Sequence, residues 1–302
     1  MLLAVAALTF LLIHLAPGDP VYLLGGEGGT SEYYAALRQE FGLDRPLGEQ
    51  FLRFFWQAAH GDLGRSLHQR QPVLALILQR VPATLLLAGT AFAASSLLGL
   101  LLGIWAASRA HEVPDRVLLM LTALGSAVPV FWSGLLLVVV FSLWLGWFPA
   151  QGMTSPRGHP AGWVDVLHHL VLPAAALALQ PLAALSRLMR VGMLEALSEP
   201  YVITARAKGL PPHRVTVHAA RNALLPVITM IGTSAGALIT GAVLTETVFA
   251  WPGMGRLALD ATLTRDYPLI MGIVLVGSVG VVIVNLVTDL LYGVVDPRIT
   301  YG

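Results

Sequence analysis

Long stretches without an ionised side chain alternate with short charged ones along this chain. With His counted as neutral, the charge-free runs cover residues 1–18, 81–108, 117–156, 166–186, 222–245 and 267–288. A helix of about 20 apolar residues crosses the hydrocarbon of a bilayer, so each run predicts one span. As a single helix the run 117–156 would reach roughly 60 Å, twice the hydrocarbon thickness. It therefore predicts one span over 117–145 and then a loop opening at Gly146-Trp147-Phe148-Pro149. The runs lack period-two alternation and are too long for barrel strands. The pattern is that of an all-α integral membrane protein with six transmembrane helices.

The stretches between the runs divide the chain further. Residues 1–16 read as a first span, 17–80 as an external segment, and 81–302 as a five-helix core with a cytoplasmic loop at 187–221. Within the external segment Leu47, Gln50, Phe51, Phe54, Phe55 and Ala58 recur at helical spacing and predict a short amphipathic helix, while the glycine-rich stretch 25–29 reads as a flexible loop. The first run could also be a signal peptide. It has no charged n-region, and Leu15-Ala16-Pro17-Gly18 is a poor cleavage site, so a retained helix whose start lies upstream is the better reading.

Composition supports the membrane assignment: 56% of the 302 residues are apolar and 12% are charged, about half the charged share of a soluble domain. Disorder and nucleic-acid binding are excluded on this ground. No Cys is present, which removes disulfides and Cys-ligated metal sites. Orientation follows from Lys and Arg in short loops. One side carries nine: Arg109, Arg116, Arg187, Arg190, Arg206, Lys208, Arg214, Arg221 and Arg298. The other carries three, Arg157, Arg256 and Arg265. The loop 187–221 and both termini are thus expected in the cytoplasm.

That loop is too long for a plain connection. It reads as a helix interrupted at Pro200, then a short basic helix ending at Gly209 before Pro211-Pro212, where Gly suits a C-cap. The pattern alone fits an interfacial helix equally well. The stretch 201–226, YVITARAKGLPPHRVTVHAARNALLP, contains Ala205-x-x-x-Gly209 and resembles the cytoplasmic loop of permease subunits in bacterial ABC importers. More narrowly, it resembles the B-type permease of the dipeptide, oligopeptide and nickel importers. The likeness continues in Ala16-Pro17-Gly18-Asp19-Pro20, Gly61-Asp62-Leu63-Gly64, Pro82-Ala83-Thr84, the stretch 246–255 (ETVFAWPGMG), Arg265-Asp266-Tyr267-Pro268, and Asp296-Pro297-Arg298-Ile299. It covers nearly the whole chain in order. Two departures from the general ABC pattern narrow it to this branch: Ile203, Thr204 and Ala205 stand where Glu-Ala-Ala is usual, and Pro226 lies 17 residues after Gly209 rather than 13.

The resemblance implies a type I importer permease in the bacterial inner membrane, moving peptides, nickel or metal chelates. It implies a second homologous permease, two cytoplasmic ATPase subunits carrying ATP and Mg, and an extracytoplasmic substrate-binding protein. Tyr201, Thr204, Ala205, Arg206, Ala207, Lys208, Gly209 and Leu210 would form the helix that docks on the ATPase. An ion-coupled secondary transporter is the alternative reading.

The chain's own chemistry is sparse. The only Lys, Lys208, precedes a Gly, so no P-loop exists and the chain is not expected to hydrolyse ATP. Gly232-Thr233-Ser234-Ala235-Gly236 matches a nucleophile elbow in letters but falls inside an apolar run, where a small-residue packing step is the better account. His168-His169 and the pair His213 and His218 have poor ligand spacing. Glu246 and Asp289, acids near span ends, and Trp251, expected as an exposed aromatic in a stiff Trp251-Pro252-Gly253 turn, are candidates for the pathway or a subunit interface; Asn285 is placed to contact Asp289. Pro129, Pro173 and Pro181 are expected to kink their spans.

Overall fold

A computed structural model gives the architecture and describes residues 2–15, 21, 30–40, 42–155 and 162–295. The expectations resting on 16–20, on the glycine-rich stretch 25–29, on Arg157 and on 296–299 fall outside the described residues. The helices in chain order are α1 (Leu2–Leu15), α2 (Ser31–Glu40), α3 (Leu47–Ala59), α4 (Val73–Ser108), α5 (Val113–Ala127), α6 (Val130–Leu137), α7 (Trp163–Ser198), α8 (Pro200–Ala207), α9 (Pro212–Val248), α10 (Met254–Leu263) and α11 (Tyr267–Val295). A π-helical turn, Val138–Trp144, extends α6.

Each of the six charge-free runs contains helix. Among the described residues three helices are long and apolar enough to span by themselves: α4, α7 and 267–288 of α11. Two more spans qualify only as bent pairs. The α9 halves Pro212–Leu224 and Pro226–Gly236 meet at 53°, and α5 meets the α6 segment at 110°. The single span expected over 117–145 is thus a broken one. The cause is local: Val128 precedes Pro129, and the proline ring drives it out of helical space, to φ −88° and ψ 127°. Pro173 and Pro181 lie inside an uninterrupted α7. The α6 segment ends where expected, at Gly146 with φ 64°. The described part of α1 is 14 residues long.

The chain divides into two compact units. The first comprises residues 1–84 and 252–283, the second 85–251 and 284–302. The first unit has an apolar core of Leu63, Val73, Leu76, Ile77, Leu257, Ala261, Leu269 and Ile273. Gly272 lets α11 approach α4, since a Cβ there would collide with the Val73 side chain. Beside this core the Asp266 carboxylate, 1% exposed, accepts from the Ser66 hydroxyl and from the backbone N–H groups of Leu67 (3.0 Å), His68 (3.1 Å) and Leu269 (3.3 Å). Asp266 is the N-cap of α11 and the anchor of a tight turn 200 residues earlier in the chain.

The second unit is built on α7. Its core contains Leu185, Met189, Met193, Ala219, Ala223 and Val227. The step Gly99-x-x-x-Gly103 on α4 brings two backbones close. A Cβ on Gly99 would sit 2.8 Å from Leu185 Cβ, and one on Gly103 would sit 2.6 Å from Met189 Cβ and 2.7 Å from the Ser186 carbonyl. Gly103→Val should therefore destabilise the fold by about 1–3 kcal/mol or more through overpacking. Gly89, where an added Cβ would meet nothing within 4 Å, should accept Ala with little change. Thermal unfolding of the two variants in detergent measures the difference, and equal melting temperatures would remove this account of the α4–α7 contact.

Candidate functional site

The short basic helix is present as α8, Pro200–Ala207, with Pro200 at its first turn. Its end is a Schellman motif. The Gly209 N–H donates to the Arg206 carbonyl at 2.9 Å and the Leu210 N–H to the Ala205 carbonyl at 3.1 Å. Gly209 has φ 78°, the left-handed conformation that glycine adopts without strain. One side chain, Val202, is buried and pins the helix down. Tyr201, Ile203, Thr204, Arg206, Ala207, Lys208 and Gly209 are exposed, and Ala205 and Leu210 are half-buried. Ile203 is 67% exposed, so the outward surface mixes an apolar side chain with two cations.

α8 follows α7 after Glu199 alone, so it rides on the end of a 36-residue helix. Three polar rungs run between α7 and the antiparallel α5. The Gln180 amide donates to the Val128 carbonyl at 3.1 Å, at the 110° break. Arg187 donates to the Ser126 hydroxyl at 3.0 Å. Arg190 forms a two-pronged ion pair with Asp115, Nη2 to Oδ2 at 2.7 Å and Nε to Oδ1. Asp115 also accepts from the His111 N–H at 2.9 Å. The two partners are 75 residues apart in sequence, and no spacing signals their pairing. The Gly99-x-x-x-Gly103 step, by contrast, stands in the sequence as a recognisable packing motif.

Next to the break lies a cavity of about 300 Å³. Val130 of α6, Gln180 and Pro181 of α7, and Ser234, Leu238 and Gly241 of α9 line it. The Ser234 hydroxyl donates back to the Met230 carbonyl at 2.7 Å, as a helical serine does. The Gly236 backbone lies near Asn285, whose Oδ1 would be 3.5 Å from a Cβ there.

The remaining candidates separate. Glu246 is fully buried, and Trp251 is fully buried rather than exposed. The reason is the turn that ends α9. Ala250 takes φ 47°, and the Trp251 N–H donates back to the Glu246 carbonyl at 2.8 Å, so the chain folds inward before Pro252. Phe249 is buried with Leu172 and Ala176. Asp289 lies in α11, and its side chain is outside the described residues.

Two family models match the chain. The binding-protein-dependent transport system inner membrane component covers residues 99–301, and the N-terminal part of the corresponding membrane component covers residues 1–88. The dipeptide transport system permease protein DppB of Escherichia coli K12 is 40% identical over 99% of this chain and 95% of its own length. The di/tripeptide transport system permease protein DppB of Pseudomonas aeruginosa is 42% identical over 98% and 94%. Two solved transporters share the fold at 15% identity. One is the inward-facing MetNI methionine ABC transporter, with a TM-score of 0.59 over 74% of this chain and 97% of that one. The other is an amino acid ABC transporter, with a TM-score of 0.55 over 72% and 94%. By family model and by identity along nearly its whole length, the chain belongs to the inner membrane components of binding-protein-dependent transport systems.

Proposed function

We propose that this multi-pass inner membrane protein is the permease subunit of an ATP-driven peptide importer. The observation that carries the reading is α8, an exposed, Schellman-capped helix at the end of a braced rod, in a chain 40–42% identical to dipeptide and di/tripeptide permeases. The cargo is a dipeptide or a longer peptide, with nickel or a metal chelate as the other members of the branch. The pathway runs between this chain and a second, homologous permease. A substrate-binding protein delivers cargo from outside, and two ATPase subunits, holding ATP and Mg, sit on the cytoplasmic side, where both termini also lie.

The mechanism follows from mechanics. Closure of the ATPase pair displaces α8. Because α8 continues from α7, and α7 is tied to α5 by the Gln180, Arg187 and Arg190 contacts, the push reaches the broken span at Pro129 and the cavity beside it. The exposed Arg206 and Lys208 supply charge contacts to the ATPase. A secondary transporter would use the broken span without any ATPase, so uptake that survives loss of the ATPase subunits would favour it.

Gly209→Val forces a β-branched residue into left-handed space, at roughly 1–3 kcal/mol of strain. The variant should still assemble, while ATPase activity stimulated by loaded binding protein falls about tenfold or more. Arg206→Glu combined with Lys208→Glu should do the same from the exposed surface. Normal assembly together with normal stimulation would refute the coupling role.

Topology provides a second check. A thiol label at Arg206 should be reachable only from the cytoplasm, and one at Gly61 only from outside. Both labels on one face would overturn the proposed orientation.

A further inference from the structure

A larger cavity, about 540 Å³, is walled entirely by residues of the first unit. Its size is within the range of small-molecule sites. α3 contributes Gln50, Arg53, Phe54 and Gln57. These positions follow the i, i+3, i+4, i+7 spacing, so one whole face of the helix lines the cavity. Arg45 and Arg65 flank that face, and His14 closes the wall from α1.

The chemistry of this wall is one-sided. Among the described residues it contains three guanidinium groups and no carboxylate. Arg45 is paired with Glu49 at 2.6 Å, whereas Arg53 and Arg65 have no ion-pair partner among the described residues. His14 Nδ1 donates to the Phe10 carbonyl at 2.8 Å. Nε2 is buried and has no partner among the described residues. Among its described residues the wall therefore offers no anion to the two arginines.

The same unit also exposes large apolar side chains. On α3 Leu52 and Trp56, each 69% exposed, flank the exposed Arg53. α1 exposes Leu8, Leu11, Leu12 and Leu15 around the turn that carries His14. An arginine-lined cavity bordered by exposed leucines suits an amphiphile whose charged head enters while its tails stay on the apolar surface.

We infer that this cavity binds the headgroup of an anionic phospholipid. The phosphodiester engages Arg53 and Arg65 through their forked N–H groups. A zwitterionic peptide fits less well, because its ammonium meets no acid in the wall. The inference concerns the first unit alone and stands apart from the coupling role of α8.

The test uses the full-length chain in its purified transporter complex, stripped of lipid. Short-chain phosphatidylglycerol and phosphatidylcholine with the same acyl chains are titrated in. Phosphatidylglycerol should bind at least about tenfold more tightly, and Arg53→Gln with Arg65→Gln should abolish the preference. Arg53→Lys with Arg65→Lys should keep part of it, and Arg70→Gln, outside the wall, should keep all of it. A photoreactive phosphatidylglycerol should label residues 42–67, and unlabelled phosphatidylglycerol should compete where a dipeptide does not. Cross-linking needs no variant, so a folding failure of the double substitution leaves the proposal decidable. Equal binding of the two lipids, labelling elsewhere, or a preference that survives loss of both arginines would overturn it. Binding of glycerol 3-phosphate as tight as that of the lipid would show a site for free phosphate and overturn the lipid assignment.

Discussion

The carbonyl of Val128 sets a problem that much of the second unit is arranged to solve. In hydrocarbon no water is available, and a backbone group freed by a helix break must find a partner in the protein. Pro129 forces such a break inside a long apolar run, and the Gln180 amide caps the freed carbonyl. A break of this kind persists only beside a rigid neighbour that carries the right donor at the right depth. α7 is that neighbour, and its position fixes where the chain can bend.

The rigidity of α7 has two sources. On one side glycines let helices approach to backbone contact: Gly99 and Gly103 face Leu185, Ser186 and Met189, and Gly192 of α7 faces Ala223 of α9. Such packing leaves no room for gradual sliding, so a displaced α7 moves with its neighbours as a body. On the other side Asp115 and Arg190 share a two-pronged ion pair in which the carboxylate is 1% exposed. Removing either partner would strand a buried charge, at a cost of about 3–5 kcal/mol. The pair therefore holds the start of α5 to the end of α7 that leads into α8.

Much of this is legible in the sequence and some is not, for physical reasons. Helix positions, the end of the third run at Gly146, the amphipathic helix over 47–58 and the glycine stop at 209 depend on local rules: charge spacing, periodicity and the conformational freedom of glycine. Each lies where local reasoning puts it. The 110° break is half-legible, since Pro129 announces a disturbance, but its size depends on Gln180, 52 residues away. Trp251 is misplaced by such reasoning for a related cause. A stiff Trp-Pro-Gly turn suggests exposure, yet the turn at Ala250 uses a non-glycine residue in left-handed space, which no residue type advertises. The partners of Asp266 and Asp115 lie on distant segments, and pairing across such distances leaves no periodic trace in one sequence.

The two units solve the burial of polar groups in opposite ways. In the second unit the buried Asp115 and the freed Val128 carbonyl each meet a complementary group, and the cavity beside Pro181 is mainly apolar. In the first unit Asp266 is saturated by four donors, while the unit's cavity gathers arginines that its own wall does not neutralise. The same cap that starts α11 also holds the Ser66 turn in place. Arg53 and Arg65 lie exposed beside the leucine face of α1, so the counter-ion that suits them best is one that an amphiphile carries.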